Sequence, residues 1–388
     1  MVPAMVLIMS FDIKRATPIS NMAILGGAVA NAWFNLRKRH PNVDRPLVDS
    51  DLSLAMIPVV IGGAVIGAVL SKLLPSYLIS LLFVVVLIST GTRTLQKGIK
   101  LNKKETAARK AAAEQQQSAA EAPAAPATPA ATYTEVLTPT VENASATAKE
   151  SGFEESKEET LAKILDKERS LAWNKQGVIF VCYLGIVAVS IIDKLVDCGG
   201  VAYWVLLLIE IPWVAAFAVA TSMYLLKDFL RKEAVSYPFA DGDVRWNKKT
   251  VIWFPLGCAG AGVIAGLFGV GGAIITGPMI IEIGVVPEVA SATSALMVLY
   301  SSAAATAKFA VFDMIAWDWA GLLCALAFVV TSASQVVILG YVRRTGRQSI
   351  IVLCIGVSIV IGAALMTYQA IKATIEDSGE AFSVDVCS

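Results

Sequence analysis

The chain has 388 residues, of which 56% are apolar and only 16% charged, with a mean hydropathy of +0.66. Soluble domains carry about 25% charged residues, so an apolar excess gathered in long runs points to a protein that lives in a lipid bilayer. A net charge of +1 leaves no basic footprint for nucleic acid, and six scattered cysteines without a C-x-x-C pair signal neither a metal knuckle nor a disulfide framework.

In chain order, Val2 to Met9 reads as the remnant of a broken segment, with no charged leader before it, so no signal peptide is expected. Pro18 to Leu36 is the first complete helix. Leu52 to Leu70 and Tyr77 to Leu95 follow, joined at Lys72 to Pro75. From Gln96 to Lys175 the composition turns to Ala, Pro, Gln and charge. Too few large apolar residues are present there for a core, so this loop is expected to be disordered, with short helices at Thr106 to Ala120 and Lys157 to Ser170. Gly177 to Ile192 and Tyr203 to Leu226 make the next pair, and a charged connector runs from Lys227 to Lys249.

The stretch from Val251 to Ile283 is apolar apart from Glu282, and is longer than the roughly 20 residues of one crossing. Gly266, Gly269, Gly271 and Gly272 crowd about two turns of it and Pro278 follows. Glycine costs about 1 kcal/mol in a helix interior and proline about 3, so the helix is expected to open there. Opened backbone at membrane depth must face protein or a water-filled cavity, where half-helix N-termini attract anions. Small residues also serve close helix packing that binds nothing. Val289 to Phe312, Trp317 to Tyr341 and Ile350 to Ile371 complete the chain.

A second copy favours the site over plain packing. Pro3 set against Pro278, and Ala16-Thr17 against Ala292-Thr293, align two units of similar design. The first copy lacks the glycine-rich lead. The resulting expectation is an all-α, polytopic helical membrane protein of two inverted repeats with broken or re-entrant Gly-rich helices and about 8–10 membrane segments. Its parts are an N-terminal repeat (1–95), the cytoplasmic loop (96–175), two linking helices and connector (176–250), a C-terminal repeat (251–375) and a tail (376–388). Arg37, Lys38, Arg39 and Arg45 mark the first loop as cytoplasmic. A stretch near residue 270 that enters and returns then keeps Arg343, Arg344 and Arg347 inside too. The sequon at Asn143 would lie in the cytosol, unused.

The blocks GLFGVGGAIITGPMIIEIGVVPEVASATSA, ATPISNMAILGG with WFNLRKRHP, CGGVAYWVLLLIEIP and GRQSIIVLCIGVSIVIGA resemble the sulfite exporter TauE/SafE family of membrane permeases, in its eukaryotic branch. The resemblance covers most of the chain outside residues 100 to 170. It implies sulfite, sulfonates or related organosulfur anions as cargo; the residues themselves say only a small anion.

The expected substrate site combines the backbone of Gly269, Gly271 and Gly272 with Ser291, Thr293 and Ser294, and adds Thr17, Ser20 and Asn21 from the first half. Neutral donors suit an oxyanion that must bind and leave. Glu210, mid-helix before Pro212, is either a proton carrier for coupled transport or a structural hydrogen-bonding group. Lys308 and Glu282 are charge candidates that could instead snorkel to the headgroups. His40, the single histidine, supports neither triad nor metal chemistry, and no Walker lysine follows the glycines. Neither an enzyme nor a cofactor or metal is expected. Transport would be gradient-driven or passive; the competing reading is a membrane scaffold that recruits partners through its cytoplasmic loop.

Overall fold

The computed structural model describes residues 5, 11–40, 43–121, 159, 161–196, 200–239, 242–269, 272–345 and 349–376. Ten helices carry the architecture: α1 (Ile13–Asn35), α2 (Ser50–Leu73), α3 (Ser76–Glu121), α4 (Trp173–Leu195), α5 (Val201–Ala234), α6 (Lys248–Phe268), α7 (Ala273–Glu282), α8 (Pro287–Val311), α9 (Trp317–Thr345) and α10 (Ser349–Glu376). A further short helix spans 161–168, and among the described residues the only β pairing is an isolated bridge between Arg39 and Pro46. Among the described residues, seven helices are long and apolar enough to cross a membrane. The all-helical membrane class expected from composition is therefore the class observed. The Val2 to Met9 remnant lies outside the described residues except for Met5.

Backbone polar groups in lipid must be satisfied within the segment, which is why the long apolar runs among the described residues are helical. Prolines 18, 58, 212, 255 and 278 all sit inside helices without ending them. The helix opens instead between Phe268 and Ala273. Gly269 closes α6 in the left-handed region at φ 60°, its N–H donating to the Ala265 carbonyl, and Gly272 precedes α7 at φ 74°. Two positive φ values within one turn cost an L side chain about 1–2 kcal/mol each, so glycine at both positions is what allows the break.

The bundle is organised around α2, where Leu52, Met56, Ile57, Val60, Ile61 and Ala68 are all buried. Its tightest neighbour is α6. A Cβ on Gly266 would lie 2.0 Å from the Ala64 carbonyl oxygen, and one on Gly67 2.1 Å from that of Val263. This is small-residue packing of the kind that membrane helices use in place of a hydrophobic drive, so the glycine-rich stretch both packs closely and breaks the helix, on different glycines. Elsewhere the packing is reciprocal: α1 lies on α9 as α8 lies on α2, α1 meets α8, and α3 meets α10.

The composition change at Gln96 does not end a helix. α3 continues for 46 residues to Glu121, about 69 Å at 1.5 Å per residue, or roughly twice the hydrocarbon thickness. Alanine, lysine, glutamate and glutamine are good helix formers with no core to build, so a stretch too polar to be a domain still prolongs an existing helix. Its outer part caps α10, since the Glu105 carboxylate accepts the Ser349 N–H at 3.0 Å.

Candidate functional site

The break is held by α1. The Ser20 hydroxyl donates to the Gly269 carbonyl at 3.3 Å, and a Cβ on Gly269 would meet the Thr17 carbonyl oxygen at 2.6 Å. At the next residue, the Asn21 side-chain amide donates to the Ser302 carbonyl at 2.9 Å and the Thr306 hydroxyl at 3.0 Å. Thr17, Ser20 and Asn21 are all buried. α1 therefore packs directly on the break, and its side chains satisfy and seal it instead of facing an open chamber. Gly272 is buried as well, and Gly271 lies outside the described residues.

The open space begins beside the break. A cavity of about 870 Å³ is walled by α1, α3, α7, α8, α9 and α10. Ala273, Gly277, Pro278 and Ile281 present one face of α7 to it, and Ser291, Ser294 and Val298 one face of α8. Ser294 is 4% exposed and its hydroxyl has no hydrogen-bond partner among the described residues. A buried hydroxyl left unpaired costs free energy, unless water or a ligand meets it. Ser291 is exposed at the same wall. Thr293 is not part of it: fully buried, it accepts the Asp49 N–H at 3.1 Å and anchors the start of α2.

The mouth of the cavity is basic. Lys97, Lys100 and Lys104 follow one another at i, i+3 and i+7 along α3 and line the cavity with Asn31, Asn35 and Gln335. Lys97 reaches across to α7, where its ammonium lies 2.7 Å from the Glu282 carboxylate and donates to the Pro278 carbonyl at 3.3 Å. Lys38 donates to Asn35 and Gln335, both at 2.8 Å. Glu282 is thus a partner at the cavity mouth and not a lone snorkelling charge. The i, i+3, i+7 spacing of these lysines is the signal in the sequence that the charged stretch after Gln96 continues the helix.

Glu210 and Lys308 form one unit away from this cavity. The Lys308 ammonium, fully buried, donates to Glu210 Oε1 at 2.9 Å, and the Ser190 hydroxyl approaches the same oxygen at 3.4 Å. Two charges in a membrane interior are tolerable only as such a pair. Neither side chain snorkels, and the geometry favours the structural alternative for Glu210 over an isolated carboxylate. Among the described residues no group of histidine, cysteine, aspartate and glutamate could hold a metal.

A second polar cluster lies beneath α2. Arg45 pairs with Asp243, Asp51 with Lys175 and Lys232, and Lys232 also with Glu168 at 2.8 Å; Tyr237 donates to Glu168. Burial raises the Asp49 carboxyl above the usual range, with Asp51 adding to it; burial also raises the Tyr237 phenol, with Glu168 adding. Here the polar partners are matched within the protein, as in a structural clasp.

Comparison with known proteins agrees with this architecture. The family described as "Sulfite exporter TauE/SafE" matches residues 1–142 and 177–365. Among curated relatives from Arabidopsis thaliana, "Sulfite exporter TauE/SafE family protein 3" is 29% identical across 93% of this chain and 71% of its own length. Family protein 2 is 27% identical across 94% and 77%, and family protein 5 is 26% identical across 94% and 76%. No solved structure matches the chain. With its broken glycine-rich helix, its apolar spans and a match over most of its length, the chain belongs to the sulfite exporter TauE/SafE family of multi-pass integral membrane proteins.

Proposed function

We propose that the chain is a secondary transporter of small anions, of the sulfite or organosulfonate type, driven by a gradient, and that the cavity between α1, α3, α7 and α8 is its substrate path. The observation that carries this reading is the unpaired Ser294 hydroxyl, buried at the back of a cavity whose mouth bears Lys97, Lys100 and Lys104. Lysines concentrate an anion by long-range attraction, and a neutral hydroxyl receives it without holding it. The half-helix α7 adds the positive end of its dipole to the same wall. The relatives' names support sulfite as the first anion to try. By the excess of lysine and arginine around Lys38 and Lys97, the cavity opens toward the cytoplasm, with the opposite face closed by α1 on Gly269. The two repeats are read as inverted copies, in keeping with the reciprocal packing.

The test is flux of radiolabelled sulfite in proteoliposomes, with and without a proton gradient. Saturable flux that the gradient accelerates supports coupled transport, and saturable flux indifferent to it supports a passive facilitator of the same site. Absence of flux for sulfite and for a panel of sulfonates would overturn the reading.

A further inference from the structure

Three amide side chains in the substrate cavity form a relay that starts at a lysine. The Lys38 ammonium donates to Asn35 Oδ1 and, across to α9, to Gln335 Oε1, both at 2.8 Å. Gln335 Nε2 in turn donates to Asn31 Oδ1 at 2.5 Å. Asn31, Asn35 and Gln335 all line the cavity. Asn31 and Asn35 stand at i and i+4 on α1, so they share one face of it.

An ammonium has donors and no acceptor, so its position fixes the direction of every bond that follows. Lys38 takes the oxygens of Asn35 and Gln335; Gln335 is left with its NH2 end, which takes the oxygen of Asn31. What the two asparagines have left to offer is their NH2 groups. Neither amide nitrogen is bonded to a described residue, and neither is closed off from the open space, although Asn35 is only 5% exposed. Glu282, the one carboxylate among the described lining residues, is engaged by Lys97. The relay therefore presents N–H donors polarised by one ammonium, with the matching amide oxygens already taken.

Such a wall tells anions apart by their protons. An oxyanion with every oxygen ionised accepts from each N–H it reaches. One that carries an O–H, as phosphate does at neutral pH, turns a donor toward donors, and a hydrogen bond is lost on both sides. We infer that Asn31 and Asn35, aimed by Lys38 through Gln335, complete the anion site to which Ser294 belongs, and select fully ionised oxyanions such as sulfate, sulfite and sulfonates over those that carry a proton. The inference rests on the reading of this cavity as the substrate path, but its test needs no flux.

The test is calorimetric titration of the purified full chain with sulfate and with phosphate, which share a tetrahedral shape. Sulfate is expected to bind at least about tenfold more tightly. Asn31→Leu, which removes one of the two NH2 groups, should weaken sulfate binding by about tenfold or more. Gln335→Met frees the Asn31 amide to turn its oxygen inward, and should narrow the preference for sulfate, which a purely structural glutamine would not do. Equal affinity for the two anions, binding of neither, sulfate binding of full strength in Asn31→Leu, or an unchanged preference in Gln335→Met would overturn the proposal. Should a variant fail to fold, the comparison of the two anions in the unmodified chain decides alone. Sulfate bound with this preference while no anion crosses proteoliposomes would uphold the proposal and remove the transport reading; sulfite flux without the preference would do the reverse.

Discussion

At the scale of single residues, the strongest constraint is the Glu210–Lys308 pair. Removing one partner strands the other charge in the bundle, at a cost of about 3–5 kcal/mol, whereas replacing both with apolar groups of similar volume is close to neutral. Lys308→Met should therefore destabilise the detergent-solubilised protein strongly, and adding Glu210→Met should recover most of the loss, as read by thermal unfolding in a double-mutant cycle. Gly269→Ala combines a left-handed backbone with the crowding of Thr17, so a loss of at least about 1–2 kcal/mol is expected in the same assay. His40 gives a pH dependence. Burial, and then Arg45, lower its pKa from 6.5, against the opposite pull of Asp243. The folded state thus binds this proton less tightly than the unfolded chain; the stability His40 contributes is complete above pH 6.5 and is lost as pH falls through the depressed folded value. The melting temperature should drop over that window, and His40→Gln should flatten the drop. Glu210 was legible in the sequence as a costly charge because carboxylates are rare inside spans. Its pairing with Lys308 was not, because the two stand 98 positions apart and no local pattern links two helices that far apart.

At the scale of elements, the break in the Val251 to Ile283 run was the most legible feature, since glycine and proline act through the local backbone. The location of the open space was harder to foresee. Thr17, Ser20, Asn21 and Thr293 look like cavity donors in sequence, yet Ser20, Asn21 and Thr293 hydrogen-bond to neighbouring elements and Thr17 is buried against Gly269; of the six expected side chains only Ser291 and Ser294 line the cavity. Whether a hydroxyl on a small-residue helix faces a neighbour or a void depends on rotation about the helix axis, which a stripe of Ala, Ser and Thr leaves undetermined. The end of α3 misleads for a related reason, because helix propensity there outlasts hydropathy. If Lys97, Lys100 and Lys104 collect the anion, changing all three to Gln should raise the KM for uptake several-fold, weaken its salt dependence and leave the maximal rate less affected. A change confined to the maximal rate would place these lysines outside the substrate path.

At the scale of the whole molecule, the reciprocal packing of α1 on α9 and α8 on α2 fits two related halves that close on each other at the glycine break. The halves are unequal in cover. α2 is almost wholly buried, whereas α9 leaves Leu322, Val329, Val336 and Val337 exposed. The family, the helical class and the multi-pass character could be read from runs of apolar residues and a few motif blocks, which are dense local signals. On the proposed reading, cargo and direction depend on a handful of side chains around one cavity. The most direct test of the account is therefore equilibrium binding of radiolabelled sulfite to the purified protein, compared with Ser294→Val. We predict saturable binding that Ser294→Val abolishes while the melting temperature is unchanged or higher, since the unpaired hydroxyl contributes nothing to folding; saturable binding of full strength in that variant would contradict the assignment of the cavity.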